Sequence, residues 1–151
     1  MKHCKQNVPE TVTGQLLGLA VNGKLEVTNC FASLDQEAIE TPNEAISYQI
    51  NMLKCLRQVN GDTNAVGWYQ SELLGSGFSE AMIEAQYGYQ VKIQNSVVLL
   101  YDPLQSLTLG TIVLKAFRLS EEFMKLFPTG FDSKRCVSGR GGVALTHVFL
   151  A

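Results

Sequence analysis

A continuous apolar run places the strongest constraint on how this chain folds. The segment 96–101, SVVLLY, shows no alternation between apolar and polar residues, and Asp102-Pro103 follows it directly. A strand with one buried face alternates, whereas a strand covered on both faces is apolar throughout. The run therefore predicts a central strand of a sheet, stopped by Asp102-Pro103, with other elements packed on both of its faces.

Two apolar segments near the start of the chain, 15–21 and 25–31, flank the dipeptide Asn22-Gly23. Both residues of this dipeptide tolerate the positive φ of a type I′ turn, so the pattern predicts a β-hairpin. One face of the second strand is mostly apolar and is expected to cover a core, because it carries Leu25, Val27, Asn29 and Phe31.

The clearest helix signal follows a polar connector. Thr41 is predicted to be the N-cap, Pro42 suits the first helical position, and Glu44 is placed to close a capping box. Apolar residues then recur at three- and four-residue spacing until Asn60-Gly61, where the helix is predicted to end. These residues are expected to form the buried side of the helix: Ile46, Ile50, Leu53 and Leu56.

The remaining elements complete an α/β pattern. Residues 65–70 predict a strand, and Ser79 is predicted to cap a second helix with Met82, Ile83, Tyr87 and Tyr89 on its apolar side. After the central strand, residues 104–110 are interpreted as a loop. Residues 111–120 predict a strand whose Lys115 and Arg118 face water, and Ser120 begins a short terminal helix. This order predicts a mixed sheet with flanking helices.

Composition excludes several classes of protein. The 12 basic and 14 acidic residues give a net charge of -2, and neither half of the chain concentrates positive charge. Direct nucleic-acid binding is therefore not expected. The apolar runs are too short to span a bilayer and the first residues lack a signal-peptide pattern, so a cytoplasmic protein without a membrane partner is expected. The dispersed Cys4, Cys30, Cys55 and Cys136 are interpreted as buried small hydrophobes.

Several segments keep an order and spacing typical of one family. They are GQLLGLAVNGKLEVTNCF, YQINMLKCLRQVN, VGWYQSELLGS, SVVLLYDP and LKAFRL. Together they resemble an MPN domain, the fold of the JAMM metallo-isopeptidases, over residues 10–126. The resemblance implies an MPN domain at 1–127 that is incomplete at its N-terminus, with the first strand of the family's sheet missing. Residues 128–151 are interpreted as an atypical Gly-rich tail, loosely attached or disordered.

The resemblance also implies where a zinc site would lie. Catalytic MPN domains resemble metalloproteases in needing H-x-H, then S-x-x-D, and an early glutamate, because two imidazoles and a carboxylate hold Zn²⁺ beside an open position for water. The corresponding residues here are Gln70 and Glu72 for the histidines, Glu80 for the serine, Ile83 for the aspartate and Thr11 for the glutamate. The chain's two histidines, His3 and His147, lie outside the motif. We therefore expect no catalytic residue, metal ligand or cofactor.

Two catalytic alternatives stay open. Glu10, Ser79 and Glu84 each lie one residue from a motif position, so a zinc isopeptidase with substitute ligands such as Glu72 and Glu84 is one alternative. A cysteine paired with a histidine is another, although nothing local in the sequence supports it.

Within the family, the resemblance implies a non-catalytic scaffold subunit of the initiation factor 3 complex, acting in translation initiation. The partners it implies are other initiation factor 3 subunits, including a second MPN subunit, and indirectly the small ribosomal subunit. A silent MPN subunit of a proteasome-lid or signalosome-type complex is the alternative within the same fold.

Overall fold

The computed structural model describes residues 1–22, 24–34, 41–59, 61–74, 79–127 and 145–147. In chain order their elements are α1 Lys2–Gln6, β1 Thr13–Val21, β2 Lys24–Ala32, α2 Pro42–Gln58, β3 Ala65–Ser71, α3 Glu80–Lys92, β4 Val97–Tyr101, α4 Pro103–Leu109, β5 Leu114–Leu119, α5 Glu121–Leu126 and β6 Leu145–His147. The strands form one sheet in the order β2-β1-β3-β4-β5-β6. β3 and β4 are parallel and the other neighbours are antiparallel. The predicted mixed α/β sheet is confirmed.

Strand β4 is covered on both faces, as its continuous apolar run predicts. On one face Val97 and Tyr101 belong to a buried cluster that includes Cys4 of α1. On the other face Val98 and Leu100 belong to a cluster that contains Met82 of α3. The central strand therefore separates two layers of core, one under α1 and one under α3.

The predicted hairpin is present. Val21 of β1 pairs with Lys24 of β2, and Asn22 has the left-handed φ of 51° that the turn requires; Gly23 lies outside the described residues. The pairing shifts register between Leu17 and Gly18. Because this irregularity interrupts the alternation of β2, Val27 is 41% exposed, and its predicted place in the core is wrong.

Helix α2 forms at the predicted place but does not bury its apolar side as expected. Ile46 is 55% and Ile50 is 47% exposed. The capping-box prediction is also wrong, because the side chain of Thr41 makes no capping hydrogen bond. Instead the Thr41 carbonyl accepts a hydrogen bond of 3.0 Å from the Glu44 backbone N–H.

Comparing two N-caps of this chain gives a direct test of side-chain capping. Ser79 caps α3 by accepting a hydrogen bond of 3.2 Å from the Met82 backbone N–H, whereas Thr41 makes no such bond. Ser79→Ala is therefore expected to lower the free energy of unfolding by about 1 kcal/mol, and Thr41→Ala by no more than about 0.3 kcal/mol. Urea denaturation measures both; equal losses would contradict the difference in capping.

The sequence predicts a loop at residues 104–110, and this prediction is wrong. In the structure most of the segment forms α4. The carboxylate of Asp102 accepts a hydrogen bond of 2.8 Å from the Gln105 backbone N–H, and Pro103 occupies the first turn. Gly110 ends the helix with a left-handed φ of 65°. An Asp cap, a Pro at the first position and a Gly after the last are together helix signals.

The cysteines differ from their predicted burial. Cys4 is buried, but Cys30 and Cys55 are exposed, so the prediction is wrong for these two, and Cys136 lies outside the described residues. Cys30 is exposed because it lies on the outer side of β2, and Cys55 because it lies on the uncovered side of α2. Within the part of the chain that the structure describes, no helix has the length and apolar character to cross a membrane.

Strand β6 extends the sheet beyond β5. Leu145–His147 pairs with residues 117–119 of β5. These three residues belong to the segment predicted to be a tail, 128–151, and the rest of that segment lies outside the described residues. The domain boundary at 127 stays a prediction.

Candidate functional site

The end of β3 presents the two residues that correspond to the histidines of the zinc motif. Gln70 lies beside Thr13 of β1 and Leu100 of β4. The backbone N–H of Glu72 donates a hydrogen bond of 2.9 Å to the Tyr101 carbonyl, so pairing with β4 continues one residue past the strand. Residues two apart in an extended chain point to the same side, and Gln70 and Glu72 share the face that α3 covers.

Glu72 forms an ion pair with a residue of another strand. Its Oε1 atom lies 3.2 Å from Nζ of Lys115, and the exposed fractions are 0% for the Glu72 side chain and 36% for the Lys115 side chain. Lys115 pairs with Leu100, so the two side chains meet across β4 from β3 and β5. A buried carboxylate is stable only with hydrogen bonds and a compensating charge, which Lys115 supplies here.

Ser71 holds the segment before β1 against the end of β3. Its Oγ atom accepts a hydrogen bond of 2.8 Å from the Val12 backbone N–H and donates one of 3.4 Å to the Glu10 carbonyl. The Ser71 backbone N–H also donates a hydrogen bond of 2.9 Å to the Val12 carbonyl. The fold thus brings Thr11, which corresponds to the early glutamate, next to the site, but Thr11 and Glu10 are both exposed.

The remaining two motif positions on this side, Glu80 and Ile83, lie on α3, and Ile83 is part of the core. Ile83 is 1% exposed and packs with Leu119 and Phe123. Glu80 is half-buried in the first turn, and Glu84 is exposed. An isoleucine side chain has no atom that can bind a metal. Among the described residues, no group of three or more His, Cys, Asp or Glu side chains is arranged to hold a metal ion.

The cysteine and histidine nearest in sequence, Cys4 and His3, lie beside the core under α1. The His3 Nδ1 atom lies at hydrogen-bonding distance, 2.9 Å, from the Tyr69 hydroxyl. Burial raises the pKa of the Cys4 thiol, which disfavours the thiolate that nucleophilic attack requires. Burial likewise raises the pKa of Tyr69. These groups form part of the core under α1, and the structural interpretation of Cys4 is supported.

A buried glutamine network lies behind the site and was not found from the sequence. Gln86 is fully buried and accepts a hydrogen bond of 2.8 Å from the Trp68 indole N–H. Its amide donates to the Ser96 carbonyl at 3.0 Å and to Gln90 Oε1 at 2.9 Å. Gln90 in turn bonds both backbone groups of Leu119. The network ties α3 to the strands that carry Gln70 and Lys115.

The sequence contains spacing signals that indicate the directions of Gln86, Gln90 and Lys115. Gln86 and Gln90 follow Met82 at four-residue spacing, so all three share one side of α3. Lys115 and Phe117 are two apart in β5 and share a face. The prediction that Lys115 simply faces water is corrected, because its ammonium contacts the buried Glu72 carboxylate.

Comparison with known proteins gives consistent matches. The protein-family profile described as "JAB1/Mov34/MPN/PAD-1 ubiquitin protease" matches residues 1–95. The chain is 48% identical over 133 residues to the H subunit of eukaryotic translation initiation factor 3 of Arabidopsis thaliana, and this match covers 86% of the chain and 39% of that protein.

Proteins with the same name from Dictyostelium discoideum and Nematostella vectensis are 46% and 41% identical to the chain. These matches cover 84% and 99% of the chain, and 40% and 45% of the two relatives. The chain therefore spans less than half the length of the curated relatives it matches.

Proposed function

The chain belongs to the JAB1/Mov34/MPN/PAD-1 family, and from this premise we propose that it is a non-catalytic scaffold subunit of the translation initiation factor 3 complex. The MPN resemblance of its sequence is confirmed by the matching family profile and by relatives named as the H subunit of that factor. Its role is assembly through protein–protein contacts during translation initiation.

The observation that carries the proposal is the ion pair between Glu72 and Lys115. Glu72 corresponds to a histidine ligand of the family's enzymes, and its buried carboxylate lies 3.2 Å from the Lys115 ammonium. In a zinc site the cation beside such a carboxylate would be the metal, with neutral imidazoles as further ligands. The Gln70 amide and the apolar Ile83 are poor substitutes for the other ligands, which favours a scaffold without catalysis.

The proposed partners are proteins. They are other initiation factor 3 subunits, including a second MPN subunit, and through them the small ribosomal subunit. The net charge of -2 does not favour direct contact with nucleic acid, because nucleic-acid binding depends on concentrated positive charge. The proposed location is the cytoplasm, where translation initiation takes place.

Co-purification tests the complex that hosts this chain. The tagged chain, expressed in eukaryotic cells and analysed by mass spectrometry, is expected to recover several initiation factor 3 subunits. A tagged relative of full length, such as the Arabidopsis thaliana protein, serves as a matched comparison, because this chain spans only part of its relatives. Recovery of proteasome-lid or signalosome subunits instead, with both proteins, would contradict the proposed host complex.

Metal analysis tests the absence of catalysis independently. Zinc content is measured on purified chain and on its Glu72→Ala variant, and both are expected to hold far less than one zinc ion per chain. A content of about one zinc ion per chain that is lost on Glu72→Ala would contradict the scaffold proposal. That result would support an isopeptidase with Glu72 and Glu84 as substitute ligands.

A further inference from the structure

Two cysteines of the described chain lie on one side of the sheet, the side that α1 covers. Cys30 of β2 pairs directly with Leu16 of β1, and the side chains of directly paired residues point to the same side. Leu16 belongs to the buried cluster that contains Cys4 of α1. Leu25 of β2, which pairs with Ala20 further along β1, also packs against this cluster. The fold therefore directs the Cys30 thiol towards the residues that surround Cys4.

The side chain of Tyr69 lies between the two cysteines. Its ring extends over Gly14 of β1, because a Cβ atom at this glycine would overlap with the ring carbon that carries the hydroxyl. Gly14 pairs with the residue two positions after Cys30. The Tyr69 hydroxyl is also 2.9 Å from Nδ1 of His3, the residue before Cys4. One side chain thus reaches from the strand beside β2 to the residue next to Cys4.

The electrostatics of this cluster agree with the placement that the strand register gives. Burial raises the pKa of the Cys4 thiol, and the charge of a Cys30 thiolate adds to the rise. Burial also raises the pKa of Tyr69, and the next largest cause of that rise is Cys30. The interaction between two charges weakens with distance. Its effect on both Cys4 and Tyr69 therefore indicates that the Cys30 sulfur lies near each of them.

The two thiols differ in their access to solvent. Cys30 is exposed, because β2 is an edge strand of the sheet, whereas Cys4 is 1% exposed. Thiol–disulfide exchange requires a thiolate that the oxidant can reach. An oxidant in solution therefore reacts first with Cys30. Cys4 is placed to act second, on a sulfur that is already attached to the protein.

We propose that Cys4 and Cys30 form a reversible disulfide when the chain meets a small-molecule disulfide such as oxidised glutathione. The Cys30 thiolate attacks one sulfur of the oxidant, forms a mixed disulfide and releases one thiolate. The Cys4 thiolate then attacks the Cys30 sulfur and releases the second thiolate. The protons of the two cysteines pass to the two released thiolates, so the oxidant leaves as two thiols. The bond fastens α1 to β2, and it does not depend on the proposed scaffold function.

Mass spectrometry of the purified chain tests the bond, because a disulfide forms only where two Cα atoms lie within about 7 Å. Trypsin places the four cysteines in different peptides: 3–5, 25–54, 55–57 and 136–140. After incubation with oxidised glutathione, peptides 3–5 and 25–54 are expected to be linked, and dithiothreitol is expected to separate them. Absence of this link, whether the thiols stay free or carry glutathione, would overturn the proposal. A predominant link from Cys30 to Cys55 or Cys136 would overturn it as well.

Variants separate the roles of the two thiols. Cys30→Ser is expected to keep its melting temperature within about 2 °C, because the residue is exposed, and its Cys4 is expected to stay unmodified by oxidised glutathione. Cys4→Ala is expected to stop at the mixed disulfide on Cys30. Cys55→Ser, which removes another exposed thiol, is the matched control and is expected to form the bond as the wild type does. Modification of Cys4 in Cys30→Ser as fast as that of Cys30 in the wild type would overturn the order of attack.

The melting temperature shows whether the bond fits the folded chain. Oxidation of the wild type is expected to raise it by about 6 °C, because the bond between residues 4 and 30 restricts the unfolded chain. Cys30→Ser treated with the same oxidant is expected to show no rise. A linked chain with an unchanged or lower melting temperature would show that α1 leaves its place to form the bond. That result would overturn the proximity of the two cysteines in the fold.

Discussion

Replacing Lys115 with methionine is expected to lower the free energy of unfolding by about 3 kcal/mol, because it removes the Lys115 ammonium from contact with a buried carboxylate. Methionine keeps most of the aliphatic stem, so the change in packing is small. The Glu72 side chain is 0% exposed and has no direct access to water in the folded state. For a chain of 151 residues this corresponds to a melting temperature about 9 °C lower, measured by circular dichroism.

The two side chains of the ion pair differ in their exposure to water. This difference provides control variants for the prediction. Glu72→Gln is expected to cost only about 1 kcal/mol, because the remaining Lys115 ammonium is part of a side chain that is 36% exposed and can be hydrated. The double variant Glu72→Gln with Lys115→Met is expected to be more stable than Lys115→Met alone, since no buried charge remains. A loss for Lys115→Met no larger than that for Glu72→Gln would show that the carboxylate does not depend on Lys115.

This asymmetry bears on how the fold accommodates a carboxylate at a position that corresponds to a zinc ligand. In the zinc motif that the resemblance implies, the position of Glu72 holds a neutral imidazole bound to Zn²⁺. In this chain the cation is an ammonium group attached to β5, 43 residues further along the sequence. A covalently attached cation is always present and leaves no open position for an activated water. We expect the loss of Lys115 to destabilise the domain, and the contact supports the proposed scaffold role.

Local patterns predicted most elements of the fold, and their failures have physical causes. The continuous apolar run of β4 and the turn at Asn22 each depend only on the residues of one short segment. The sequence alone is therefore enough to predict both. The spacing of apolar residues in α2 predicts that Ile46 and Ile50 share one side of the helix. It does not predict whether another element covers that side. Helix α4 was not predicted, because the segment is short and its three helix-end signals, Asp102, Pro103 and Gly110, indicate a helix only in combination.

The candidate site was predicted only in part. Strand alternation correctly predicted that Gln70 and Glu72 share one face, because alternation depends only on the local extended backbone. The partner of Glu72 lies on a strand two positions away in the sheet, so the pairing of β3, β4 and β5 must be known first. Lys115 was expected to face water because it is charged. Its alternation with the buried Phe117 was the better guide to its direction.

Gln86→Leu is expected to lower the free energy of unfolding by about 3 kcal/mol, although leucine is nearly isosteric with glutamine and more apolar. The reason is that two buried groups lose their partners: the Trp68 indole N–H and the Ser96 carbonyl. Each unsatisfied buried group costs about 1 to 3 kcal/mol. Gln90 is less affected, because its Oε1 atom still accepts a hydrogen bond from the Leu119 backbone N–H.

The chain contains a single tryptophan, so tryptophan fluorescence and the indole N–H resonance both report on Trp68 alone. In the wild type the indole proton is expected to exchange slowly with solvent, and in Gln86→Leu its resonance is expected to shift and its exchange to accelerate. Gln49→Leu, an exposed glutamine of α2, is the matched control and is expected to change stability by less than about 0.5 kcal/mol. If Gln86→Leu were as stable as this control, with an unchanged indole resonance, the glutamine network would not be what fastens α3 to the sheet.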